Sequence, residues 1–307
     1  AKAVATLFVG DKRLVFVESR RAAEQMANAL HAQGVAVFVS PARFPLDDGP
    51  RQLATWAGRF AMVLPVSHLL SLVIPMPDGQ QWASMDLVVL ALSLGIIATP
   101  FALGGIVTTL ALTRTHAPVG RLYAADLLGA AIGCLAAVVL LDTTNLSAAA
   151  FAATAVAALG ALAFRRAAGL SLGLAVPVTL VLALVAMGGN VRGEAVRVMY
   201  PKNRLAWNKP VLRSLWNSHA HILAFLPEVG PAFYWGGGDG AAQFTNTQAF
   251  VVVDGEAGTP MTEWDGNPAS LDWVSYDVTA LPYQLRKAGR VGIVGVGGGR
   301  DILAAIW

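Results

Sequence analysis

Gly295, Gly297 and Gly299 stand at alternate positions in "RVGIVGVGGGRDILAAIW", residues 290 to 307. An apolar, strand-like run precedes them, and residues at helical spacing follow. Glycines are needed where a backbone must turn sharply and let a ligand lie against it with no Cβ in the way. The start of a helix then offers unpaired N–H groups and the positive end of a dipole. The pattern predicts a buried parallel-type strand over 291–296 and a helix beginning over 300–307. Asp301, in the first turn of that helix, joins the three glycines as a candidate cofactor-binding residue.

A dinucleotide fingerprint, GxGxxG, would place glycine where this chain has Arg300. The spacing here is GxGxG, the commoner form in folds that bind S-adenosylmethionine. That ligand has no pyrophosphate, so the loop would wrap its amino-acid part.

Other stretches hold residues with chemistry to offer. Asp126 lies inside an apolar run a few residues past Arg121 and ahead of Gly129 and Gly133, which form a GxxxG. A carboxylate at mid-bilayer costs about 2.5–3.5 kcal/mol on insertion scales, and small residues four apart let helices approach closely. Asp126, Gly129 and Gly133 therefore read as a membrane packing seam, with a substrate path as the alternative role for the acid. His219 and His221, two apart, would share one face of a strand, but no third metal ligand is evident and no metal is expected. "YWGGGDGA" at 234–241 has the glycines of a binding loop but no apolar strand before it, and reads as a flexible turn. Cys134 is the single cysteine, so it forms no internal disulfide and no cysteine-based metal site.

These residues need elements to carry them. The chain has 307 residues, 55% hydrophobic and only 13% charged. A soluble domain carries about 25% charged residues, so lipid must be the solvent for part of it. The net charge of +3 is small and the basic residues form no dense run, which argues against nucleic-acid binding.

Residues 1–50 read as a soluble βαβ-like segment. Leu14 to Val17 and Val35 to Val39 are strand-like, and Ala22, Met26, Ala29 and Leu30 between them recur at helical spacing up to Gly34. "LVFVESRRAAEQMANAL", within residues 12–40, resembles the opening of the second motor domain of superfamily 2 helicases. No GxxxxGK[ST] loop occurs in the chain, so no ATP-driven motor is argued.

Residues 51–190 read as a transmembrane bundle of four or five helices. The nearly uncharged runs are Arg59 to Pro75, Met85 to Thr113, Val119 to Leu141, Ala148 to Phe164 and Leu170 to Gly188. A span takes about 20 apolar residues. The first run is short and carries Pro65 and His68, and the fourth is mostly alanine, so one of these two is expected not to span. Residues 191–289 read as a β-rich segment, with "HILAFL", "AFVVVD" and "LDWVSYD" as short strands. Residues 290–307 read as the start of a Rossmann-like α/β domain.

"RLYAADLLGAAIGCLAAVVLL", "LWNSHAHI", "VVVDGEAGT" and "ALPYQLRKAGRVGIVGVGGGRDILAA" occur in this order. Together they resemble the membrane-attached spermidine synthase-like family, over roughly the last two-thirds of the chain. The resemblance implies helices followed by a small β-domain and an aminopropyltransferase-type domain that uses S-adenosylmethionine or its decarboxylated form. Asp254 and Gly255 look like the family's hairpin Asp-Gly, with Asp254 on the substrate side. A small-molecule amine such as putrescine would be the acceptor.

Three positions depart from that pattern. The family's loop aspartate is replaced by Gly298, its glutamine after Asp-Gly by Gly258, and its Tyr-x-Glu has no clean match near Tyr276. The catalytic acid is expected downstream of Trp307, so no catalytic residue is assigned here and the chain is read as a fragment. The rival classes are a membrane transporter or scaffold with a degenerate, non-catalytic ligand domain, and a membrane-bound methyltransferase. The expected partners are the lipid bilayer and the amine, with homo-oligomerisation left open. The expected place is the bacterial inner membrane, with the C-terminal domain in the cytoplasm. Arg114, Arg121, Arg165 and Arg166 bear on that orientation through the positive-inside rule.

Overall fold

A computed structural model describes residues 20–32, 34, 48–75, 84–115, 117–201, 210–286 and 288–307. The N-terminal helix α1 (Arg20–His31) buries Ala27 and Leu30 and ends before Gly34, whose φ is +76°. The strands expected on either side of it lie outside the described residues.

Five helices long and apolar enough to cross a membrane follow: α2 (Gly49–Val73), α3 (Ser84–Arg114), α4 (Val119–Thr143), α5 (Leu146–Ala167) and α6 (Ala175–Gly193). None of the five falls short in length or apolar character, the grounds on which one run was expected not to span. For α2 the apolar count starts too late. A proline in its first turn and the buried Leu53, Ala54 and Ala57 carry the helix back to Gly49, ten residues ahead of the apolar run. Its polar opening is amphipathic, and Arg59 lies over the Trp56 ring at 4.6 Å.

Alanine explains α5. Ala148, Phe151, Ala155, Ala158 and Ala161 recur on one face and are buried, as are Ala54, Ala57 and Ala61 of α2. Ala57, Ala61, Ala158, Ala161 and Val176 of α6 form one cluster. Small side chains let these backbones approach closely, and in lipid that packing is what holds helices together. The alanine content of α5 thus marks a helix wrapped by its neighbours. By contrast α4 has no buried residue and touches the bundle sparsely.

The helices alternate in direction. The start of α2 meets the end of α3 where a Cβ on Gly49 would stand 2.3 Å from the Arg114 carbonyl. At the other end Asn145 donates to the Asn190 carbonyl (2.9 Å), and Met199 N–H to that of Leu72 (2.9 Å). Arg114, Arg121, Arg165 and Arg166 therefore gather at one rim. The opposite rim carries Asp86, Asp142 and Arg192 and leads into the sheet.

That sheet is antiparallel, with β1 (Val211–Trp216), β2 (His221–Phe225), β3 (Glu228–Pro231), β4 (Thr245–Val253) and β5 (Ala257–Thr262). β2 and β3 lie end to end along one edge of β4, and β5 pairs with the other. The β4–β5 turn holds Asp254 at φ +51° and Gly255 at φ +81°, the left-handed pair a tight hairpin requires.

Two expected strands are absent. "LDWVSYD" lies in a 3-10 segment, Pro268–Tyr276, because Asn267 accepts from Ala269 N–H and Pro268 sets the first turn. Its apolar residues serve a three-residue period, with Leu271 and Val274 on the buried side. Residues 291–296 form no strand either. Strand backbone needs a ladder partner, none stands beside them among the described residues, and Val294 is fully exposed. The start of a Rossmann-like sheet is therefore not observed. The helix expected after the glycines is there, as α8 (Arg300–Ile306), preceded by the short α7 (Leu281–Leu285).

Candidate functional site

The glycine loop turns as its sequence demands. Gly295, Gly297 and Gly299 have φ of +77°, +54° and +87°, all in the left-handed region open mainly to glycine. Their surroundings differ. A Cβ on Gly297 would meet Thr259 at 3.3 Å, and one on Gly298 would stand 1.9 Å from the Pro260 carbonyl. A Cβ on Gly295 or Gly299 would meet nothing within 4 Å. Half of the loop is thus docked on β5, where Gly298 N–H also reaches Thr259 Oγ1 (3.3 Å). The open half could admit a ligand. Gly299 N–H is spent on the Val296 carbonyl (2.9 Å), and Asp301 sits half-buried in the first turn of α8.

The two glycine departures have steric causes. The resembled family's aspartate would collide with Pro260 at Gly298, and a Cβ on Gly258 would stand 2.3 Å from the Phe250 ring. In this arrangement neither position can carry the side chain of the resembled family.

Behind the loop, Arg300 is buried and forms an ion pair with Asp277. Asp277 Oδ2 also accepts from Trp235 N–H (2.8 Å), and Oδ1 from Thr279 N–H (2.9 Å) and Oγ1 (3.0 Å). Burial alone would raise the Asp277 pKa. The Thr279 and Trp235 bonds together with the Arg300 charge outweigh it and hold the carboxyl below its ordinary value. Tyr234, Phe233 and Trp273 surround the guanidinium with ring centroids 5.6–6.0 Å away. Arg300 Nε and Nη1 and the Tyr234 hydroxyl are buried without a partner. Leu271, Trp273, Val274, Ala280, Leu303 and Ala304 close the core around them. "YWGGGDGA" is a turn, but an anchored one where a flexible one was expected: Gly238 N–H donates to the Tyr276 carbonyl (2.8 Å), and Gly237 bridges to Asp277.

A second polar group sits where bundle meets sheet. Ser214 donates to Glu194 Oε1 (2.8 Å) and contacts His221 Nε2 (2.9 Å). Asp254 Oδ1 accepts from His221 N–H (2.9 Å), and the imidazole stacks on Trp216 at 3.9 Å. Burial lowers the His221 pKa, opposed by the Glu194 and Asp254 charges. His219 lies in the preceding turn and not on β2, so the two histidines share no strand face. No group of three metal-ligating side chains occurs among the described residues.

The structure does not bring Asp126, Gly129 and Gly133 against another helix. All three are exposed, and nothing stands within 4 Å of where a Cβ would be at either glycine. Cys134 beside them is exposed too. Compared with family models, curated proteins and solved structures, the chain matches none.

Asp277, Glu194 and Ser214 escaped sequence reading, and Arg300 registered only as a missing glycine. Its placement at the head of an apolar helix is the signal that could have found it, since a buried arginine there requires an acid partner.

Proposed function

We propose that the protein holds, at the membrane, a domain that takes S-adenosylmethionine or its decarboxylated form and transfers an aminopropyl group to a small amine. The observation that carries this is the loop. Three glycines turn it through the left-handed region, and Gly295 and Gly299 leave bare backbone with open space in front. Resemblance to the membrane-attached spermidine synthase-like proteins supplies the chemistry. The amine nitrogen bonds to the carbon beside the sulfonium, the C–S bond breaks and a thioether leaves. The amine proton passes to a carboxylate, the general base that the resemblance implies. A methyltransferase would share the loop and differ in which carbon is attacked.

This chemistry needs the sheet and loop in the cytoplasm of a bacterial inner-membrane protein, where the cofactor is made. Incubating the natural protein in nanodiscs with decarboxylated S-adenosylmethionine and putrescine should release the thioether in step with spermidine. Methyl transfer from S-adenosylmethionine without aminopropyl transfer would assign it to the methyltransferases.

A second reading, a transporter or scaffold with a non-catalytic ligand domain, is favoured by two observations. Gly258 and Gly298 have no room for the family's side chains. The rim opposite the sheet holds Arg114, Arg121, Arg165 and Arg166, which the positive-inside rule would keep in the cytoplasm, leaving the sheet outside. Maleimide labelling of a cysteine placed at Asp239, in a Cys134→Ser background, separates the two. Protection in intact cells fits the enzyme, and labelling by an impermeant reagent fits the scaffold.

A further inference from the structure

Between α2, α3 and α5 lies a hollow of about 540 Å³, within the range of small-molecule sites. Phe60, Leu64, Ile97, Pro100 and Phe101 form most of its wall, and no acidic or basic side chain other than His68 lines it. Phe101 is 77% exposed, so the hollow opens sideways to where acyl chains would lie. Gly104 and Gly105 keep it hollow: a Cβ on Gly105 would meet nothing within 4 Å, and one on Gly104 only the Phe60 ring at 3.6 Å.

The polar groups around it are accounted for, with one exception. Pro100 removes the N–H that the Ile96 carbonyl would accept in a helix, and Ser67 Oγ donates to that carbonyl instead (2.7 Å). Ser71 Oγ donates to the His68 carbonyl (2.7 Å). His68 Nε2 meets Ser147 Oγ (3.2 Å), and its ring sits edge-on to Phe151 at 5.5 Å. Its other nitrogen, Nδ1, has no hydrogen-bond partner among the described residues. An imidazole on an apolar wall inside a bundle, with one nitrogen engaged and one spare, is a place for a ligand oxygen.

We propose that this hollow binds a neutral, lipid-soluble molecule with one hydroxyl or carbonyl oxygen. The oxygen bonds to His68 Nδ1, and the apolar body lies between Phe60, Leu64 and Phe101. A charged head is disfavoured, because the wall carries no permanently charged side chain to balance it. The site is separate from the glycine loop and does not depend on what the loop binds.

Tritiated oleyl alcohol, titrated against the full chain in nanodiscs, tests this, with oleate and octadecene as competitors. Saturable one-to-one binding is expected, displaced poorly by either competitor. Gly105→Leu should abolish it while leaving the melting temperature unchanged. His68→Phe, which keeps a ring there, should weaken it about tenfold, the size of one lost hydrogen bond, and erase the preference over octadecene. Absence of saturable binding, equal competition by oleate, or full binding by a folded Gly105→Leu or His68→Phe variant would overturn the proposal.

Discussion

Asp277 and Arg300 form an ion pair sealed inside the C-terminal domain, one at the end of the 3-10 segment and the other opening α8. Removing one member of a buried pair strands the other charge and costs about 3–5 kcal/mol. Arg300→Met should come out milder than Asp277→Ala. Without Arg300 the acid keeps the Trp235 and Thr279 donors, whereas without Asp277 the guanidinium keeps only aromatic faces. Thermal unfolding followed by tryptophan fluorescence would rank the two.

Acid should weaken this domain in two stages. His221 has a folded pKa below the ordinary 6.5, so the unfolded chain binds more protons as pH falls past that value. Its contribution is complete above 6.5 and is lost as pH falls from there to the folded pKa. Asp277, lowered from 3.8, acts the same way in its own window, with stability present above 3.8 and lost below it. Melting temperatures across this range should show both steps, and His221→Gln should flatten the upper one alone.

Gly298 should tolerate no side chain. Gly298→Ala drives a methyl into the Pro260 carbonyl, and overpacking of this kind costs about 1–3 kcal/mol. Placing an acid there with Gly298→Asp should lift the loop off β5. Amide exchange at Thr259 and Met261 would report it as lost protection.

Within the bundle, the seam that matters joins α2 to α5. Ala158→Leu should lower the melting temperature in detergent, since Ala158 is fully buried against that seam. Gly129→Leu and Gly133→Leu on α4 should not, which reverses the expectation drawn from their GxxxG spacing. A change in oligomeric state in those two variants, with monomer stability intact, would show that the α4 face meets a second copy.

The contrast between α4 and α5 shows how far the sequence could be read. Apolar length and the rarity of charge marked out five runs and left the helix count at four or five, because crossing lipid imposes both. Which helix lies inside was not legible. α4 is as apolar as any of the five and stands outermost, while alanine-rich α5, less apolar than α3 and α4, is central. Hydropathy records affinity for lipid, whereas small side chains record affinity for another helix. In the C-terminal domain, Asp254-Gly255 announced its hairpin because few residue pairs adopt two consecutive left-handed conformations. "LDWVSYD" misled because an i, i+3 period in a short apolar run is hard to tell from alternation. The glycine loop was legible as a turn, but its docking on β5 depends on Thr259 and Pro260, some forty residues away.

Calorimetric titration of decarboxylated S-adenosylmethionine into the natural protein tests the central claim most directly. Saturable binding is expected. It should be lost in Gly295→Asn, whose side chain tolerates the left-handed backbone yet fills the open space beside the loop. The variant should melt at the same temperature. Absence of binding by the natural protein, or equal binding by Gly295→Asn, would contradict a ligand role for the loop.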